Sequence, residues 1–133
     1  MSYQEAIFSE GYEQGYAAGV RARMNVPTIV CLCGSTRFWR EFQAASLRET
    51  MEGRIVLSIG AASGTDDEHF GNLPRAEYDR IKTMLDELHK RKIDLADEVL
   101  ILNVGGYIGD LTRSELEYAQ RLGKRVRFLE AIQ

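Results

Sequence analysis

Glu115 stands where a carboxylate could do chemistry: it follows the glycines Gly105, Gly106 and Gly109 and lies three residues after Thr112 and one after Ser114. Glycines let a backbone approach a ligand closely, and a helix starting just after them offers free amides. Two readings compete. Thr112 to Glu115 fits the capping box S/T-x-x-E, in which the glutamate reaches back to the N-cap amide. Alternatively, a carboxylate at the mouth of a crevice attacks an electrophilic carbon, kept ionised by the positive end of the helix dipole.

A second candidate is CGSTRF, Cys33 to Phe38, which sets Gly34, Ser35, Thr36 and Arg37 at a helix start. Backbone amides, two hydroxyls and a guanidinium suit a phosphate or carboxylate. Ordinary capping by Ser35 or Thr36, with Arg37 solvated, accounts for the same residues. The stretch is neither the dinucleotide fingerprint nor a Walker A loop. Lys82, Asp86 and His89 recur at i, i+4 and i+7 on one polar helix face, a spacing that solvated salt bridges also use. Asp66, Asp67, Glu68 and His69 are contiguous and lack a partner cluster, so we read them as a solvated or lid loop. Neither a metal nor a cofactor is expected.

The elements that must position these residues alternate along the chain. Apolar runs at 28–33, 54–59, 98–102 and 125–129 read as strands. Between them lie helical stripes: Phe38, Phe42 and Ala45; then Ile81, Met84, Leu85 and Leu88; then a helix from about Thr112 to Leu122, with Gly123 as its C-terminal cap. The pattern implies an α/β fold, a small Rossmann-like, doubly wound parallel sheet of four to five strands with helices on both faces. Ligands collect outside the carboxyl ends of such strands, which selects the loops after the first three. Residues 1–26 read as an N-terminal helical extension and 27–133 as the main domain. Gly11, Gly15 and Gly19 recur along one face of that extension, as either a frayed leader or a subunit contact.

Composition narrows the partners. The 133 residues carry a net charge of -3, and no basic block marks a nucleic-acid or membrane surface. A small molecule or another protein is the expected partner. With 44% hydrophobic residues the chain can build one core. Cys31 and Cys33, the only cysteines, alternate along one strand and read as buried, reduced thiols. No signal-peptide core or membrane-length apolar run is apparent, so a cytoplasmic location is expected.

Three segments carry a family resemblance: CGSTRF, LHKRKIDLADEVLILNVGGYIG and TRSELEYAQRLGKRV. From about Thr28 to Leu129 the chain resembles the nucleoside 2-deoxyribosyltransferase-like superfamily, which includes deoxynucleoside-monophosphate N-glycosidases. Glu115 with Leu116, Tyr118, Ala119, Gly123 and Lys124 matches the family's glutamate segment, and the resemblance makes Glu115 the nucleophile at the sugar's anomeric carbon. It also implies that Gly34, Ser35 and Arg37 line the sugar or 5′-phosphate end with Thr112 and Ser114, that Asn103 and Tyr107 stand near the ligand, and that the protein is a homo-oligomer. Many members have an aspartate eight residues before the position of Asp97; here that residue is His89. Either Asp86, one turn earlier, substitutes for it or His89 protonates the leaving base. Glu117 stands where glycine is frequent in the family. The expected function is therefore cleavage or transfer at the N-glycosidic bond of a nucleoside or its 5′-monophosphate. The competing expectation is a non-catalytic module that binds a nucleotide or nucleotide-derived ligand.

Overall fold

Unbroken apolar stretches at Val30–Cys33 and Val99–Leu102 can be satisfied only by strands covered on both faces, and they form the centre of the sheet. The computed structural model describes residues 26–60 and 63–132. The expected N-terminal helix, with Gly11, Gly15 and Gly19, lies outside the described residues.

In chain order the described elements are β1 (Ile29–Cys33), a 3-10 turn (Thr36–Phe38), α1 (Trp39–Met51), β2 (Ile55–Leu57), α2 (Asp66–Phe70) and α3 (Arg75–Leu95). There follow β3 (Glu98–Ile101), a 3-10 turn (Val104–Gly106), α4 (Asp110–Arg121) and β4 (Arg125–Phe128). The four strands make one parallel sheet in the order β2-β1-β3-β4. This is a small α/β, Rossmann-like fold, as expected from the sequence.

Strand alternation sorts the core into two layers. Cys31, Cys33, Val99 and Ile101 pack with Ile93 of α3 and with Leu116 and Ala119 of α4. On the opposite face, Val30, Leu32, Leu100 and Leu102 pack with Phe42 and Ala45 of α1. Because β2 and β3 flank β1 on opposite sides, the chain leaves the ends of β1 and β3 in opposite directions, and a crevice opens between them. Gly34 is required there: a Cβ would sit 3.1 Å from Leu102 Cβ.

Two details differ from expectation. Helix α4 begins at Asp110 with Gly109 as N-cap, so Thr112 is its third residue and no capping box forms with Glu115. The same S/T-x-x-E pattern occurs at Thr65 to Glu68, where Thr65 Oγ1 accepts from the Glu68 amide at 3.2 Å and caps α2. In α3 the expected apolar stripe is not the buried one: Met84 and Leu88 are 50% and 47% exposed, whereas His89 and Ile93 are buried. The other end of α4 follows the reading of Gly123, which has φ +73°. Its amide reaches Gln120 O at 3.0 Å and that of Lys124 reaches Ala119 O at 3.0 Å, a Schellman closure.

At the amino ends of the strands, opposite the crevice, an ionic cluster ties α1 to β3 and β4. Arg127 donates through Nη2 to Glu98 Oε1 at 2.8 Å and also pairs with Glu49, while Arg54 lies 3.4 Å from Glu49 and 3.6 Å from Glu98. Both glutamates are buried. Burial pushes the Glu49 carboxyl up, but its bonds to Arg127 and the charges of Arg54 and Arg48 outweigh that and hold it below the usual range. Arg127→Met would remove the closest guanidinium from two buried carboxylates and leave them the longer contacts to Arg48, Arg54 and Arg125. It should cost about 3–5 kcal/mol of unfolding free energy by urea titration; a loss within experimental error would mean that the cluster contributes nothing net.

Candidate active site

The crevice contains a cavity of about 320 Å³. Its walls come from the loop after β1 (Gly34 and Thr36), the segment after β2 (Ile59 and Gly60), α2, α3 and the first turns of α4. Glu115 and His89 line it although they are only 4% and 8% exposed. Each reaches this place through its helix: residue 115 is on the face of α4 that also buries Thr112, Leu116 and Ala119, and His89 is one turn before the core residue Ile93.

The centre of the site is a chain of ionisable groups from three elements. Cys31 Sγ of β1 lies 3.6 Å from His89 Nε2, and that nitrogen lies 3.9 Å from Glu115 Oε2. Burial pushes the Glu115 carboxyl up to about 7, despite the opposing charge of His89. Burial alone would depress the His89 imidazolium, but the hydrogen bond with Cys31 and the charges of Cys31 and Glu115 raise it. The Cys31 thiol is lowered, first by its hydrogen bond with Cys33 and then by His89, while Cys33 is raised by the same Cys31 contact and by burial. Among the described residues, Cys31, Cys33 and His89 form a buried group whose donor atoms all lie within 4.8 Å of one another.

Around this centre the walls are held by charge. Lys82 Nζ bonds Asp66 Oδ2 at 2.6 Å and lies 3.6 Å from Asp86 Oδ1, fastening α2 to α3. Thr36 Oγ1 accepts from the Asp66 amide at 3.3 Å, so α2 is also docked on the loop after β1. Lys92 donates to Ser58 O at 2.6 Å and closes the β2 side. The stretch read from sequence as a solvated or lid loop is thus a short helix forming one wall, with Asp66, His69 and Phe70 lining the cavity.

Of the residues singled out from sequence, Gly34, Thr36, Asp66, His69, Lys82, Asp86, His89 and Glu115 line this one cavity. Cys33 lies behind it in the core and Thr112 is buried in α4, whereas Ser114 is half-buried there. Ser35 caps the 3-10 turn by accepting from the Arg37 amide at 3.3 Å. Arg37 is exposed, with its guanidinium 4.4 Å from the ring centroid of Tyr107 and 3.4 Å from the Tyr107 hydroxyl. Gly109 lies against that hydroxyl, which a Cβ would approach to 3.0 Å. Asn103 and Gly106 line a separate cavity with Glu130. The Asn103 side chain donates to Glu130 O at 3.0 Å and accepts from the Glu130 amide at 2.9 Å, so its amide is committed to holding the chain after β4. Sequence reasoning did not name Ile59, Gly60, Phe70, Lys92 or Leu111, although Gly60, Phe70 and Leu111 lie in the strand-end loops it selected. None has a spacing motif, and only the order β2-β1-β3 brings the segment after β2 alongside.

Comparisons with family profiles, curated proteins and solved structures return no match to this chain.

The raised Glu115 carboxyl has a consequence for stability. Its folded value of about 7 lies above the ordinary 4.5, so the folded chain holds a proton that the unfolded chain releases, and stability falls as pH rises from about 4.5 to 7. The gap corresponds to an upper bound of roughly 3 kcal/mol. Glu115→Gln removes this burden. Its urea midpoint should match that of wild type near pH 4.5 and exceed it at pH 8.5; a difference independent of pH would mean that burial does not govern the carboxyl.

Proposed function

We propose that the protein cleaves or transfers at the N-glycosidic bond of a deoxynucleoside 5′-monophosphate, with Glu115 as nucleophile. The observation that carries this reading is the position of Glu115: a buried carboxylate, too far into its helix to cap it, opening into a cavity at the switch point of a parallel sheet. The resemblance of the segments around Cys33–Phe38 and Thr112–Lys124 to the deoxyribosyltransferase-like superfamily supports the same chemistry.

In this mechanism a Glu115 carboxylate oxygen bonds to C1′ of the sugar as the C1′–N bond breaks, and the bonding pair leaves on the base nitrogen, which takes up a proton. Water or a second base then attacks C1′ and releases Glu115. An in-line displacement puts nucleophile and leaving base on opposite sides of C1′. His89, 3.9 Å from the nucleophile's own oxygen, is on the wrong side to protonate the base. We assign it to positioning Glu115 and stabilising its anion. Asp86 lines the same cavity one turn earlier and is assigned as proton donor. The exposed Arg37, stacked on Tyr107, is assigned to the 5′-phosphate.

A second reading, a non-catalytic nucleotide-binding module, draws support from His89 occupying the position where the resemblance leads one to expect an aspartate.

Base release from deoxynucleosides and their 5′-monophosphates, with and without a second free base, separates the two. Wild type should release base, and Glu115→Gln should lose about three orders of magnitude or more in kcat while still binding substrate. Asp86→Asn should lose about 100-fold in kcat. His89→Asn should lower kcat with little change in KM. Arg37→Ala should raise KM for monophosphates and leave that for free nucleosides unchanged. Binding of a monophosphate with no release from any substrate would favour the binding module.

A further inference from the structure

Cys31, Cys33 and His89 are not needed together for glycosidic chemistry, yet the fold groups their soft donor atoms in one buried place. The two thiols arrive from one face of β1 because residues two apart on a strand point the same way. The imidazole arrives from α3, and its Nε2 is directed at Cys31 and Glu115. A zinc ion with bonds of about 2.3 Å to sulfur and about 2.0 Å to nitrogen sets its tetrahedral ligands roughly 3.5 Å from one another. The Cys31 Sγ to His89 Nε2 distance of 3.6 Å already equals such an edge, and Glu115 Oε2, 3.9 Å from the same nitrogen, is close to one. Cys33 completes the set within the 4.8 Å span of the three soft donors, which a small side-chain rotation closes.

We propose that Cys31, Cys33, His89 and Glu115 form a tetrahedral site for zinc or a similar thiolate-preferring divalent ion. Two thiols, an imidazole and a carboxylate are the donor set such ions select over magnesium or calcium. The ion enters through the cavity, which His89 and Glu115 line, and binding releases to solvent whichever protons the two thiols, the imidazole and the carboxyl hold. Two thiolates and a carboxylate around a divalent ion leave one net negative charge, which Lys92 on the cavity wall partly offsets. Because the ion takes up His89 and Glu115, the loaded protein has no free nucleophile. This part of the inference rests on the proposed glycosidic chemistry: metal binding is an off state of the same site.

The test is titration of the reduced, metal-free full chain with Co²⁺, followed by Zn²⁺. One equivalent should produce the intense visible bands of tetrahedral cobalt and a near-ultraviolet sulfur-to-cobalt charge-transfer band, and zinc should abolish both. Cys31→Ser, Cys33→Ser and His89→Asn should each weaken cobalt binding by about 10-fold or more, the serine variants also losing charge-transfer intensity. A folded wild type that gives only the pale spectrum of octahedral cobalt, or no charge-transfer band, overturns the site whatever the variants do. Where base release is present, stoichiometric zinc should stop it and a chelator restore it; turnover unaffected by bound zinc overturns the off state. A thiolate–cobalt spectrum without turnover on any substrate refutes the glycosidic reading and leaves the metal site standing.

Discussion

The site depends on one constraint: a carboxylate, an imidazole and a thiol must share a space that little water reaches. Each comes from a different element, so the packing of β1, α3 and α4 fixes the mutual distances of Cys31, His89 and Glu115. Burial would drive all three toward their neutral forms, and their mutual contacts oppose it. At Glu115 burial outweighs the charge of His89 and brings the carboxyl to about 7, close to the neutrality at which acid–base chemistry operates. Neighbouring groups therefore tune the reactivity of Glu115, and so does anything that competes for their lone pairs.

The sheet separates this unsettled chemistry from a settled one. At the amino ends of the strands, Glu49 and Glu98 are just as buried, but guanidinium groups surround them and each carboxylate has its counter-charge. There the charges are matched and joined to three elements at once. At the carboxyl ends, among the described residues, Glu115 has no arginine in ionic contact and pairs with His89, whose charge depends on its own proton. A fold of this kind concentrates its ligand chemistry at the ends where strands diverge, and the pairing of acids with arginines follows that polarity.

Much of this was legible in the sequence because it depends on local pattern. The four strands, the helix after each of the first three and the closure at Gly123 all followed from apolar runs, stripes and a single glycine. What was not legible depends on which face of a helix meets the sheet. In α3 the apolar stripe would have buried Met84 and Leu88, yet Met84 is exposed and Leu88 is half exposed at the cavity, while His89 and Ile93 are buried and Lys82, Asp86 and His89 line the cavity. The resemblance puts Asn103 near the ligand, yet its amide is matched to Glu130 across a pairing only the folded chain creates. The grouping of Cys31 with His89 was equally hidden, since 58 residues separate them.

The start of α4 decides what Glu115 can be. With Gly109 as N-cap, residue 115 is sixth in the helix, beyond the first turn in which the N-terminal amides and the dipole act on a carboxylate. Its side chain therefore cannot cap the helix, and the dipole offers little to hold it ionised; the raised carboxyl agrees with both. The positive partner of a buried nucleophile must then come from a side chain, and among the described residues His89, 3.9 Å away, is in ionic contact with Glu115 while Lys82 acts on it from farther off. An imidazole in that role differs from an arginine: it stabilises the anion only while it is itself protonated. The rotation of α3 that turns Met84 outward also places that imidazole beside Glu115, so the unexpected packing of the helix and the chemistry of the site have a single structural cause.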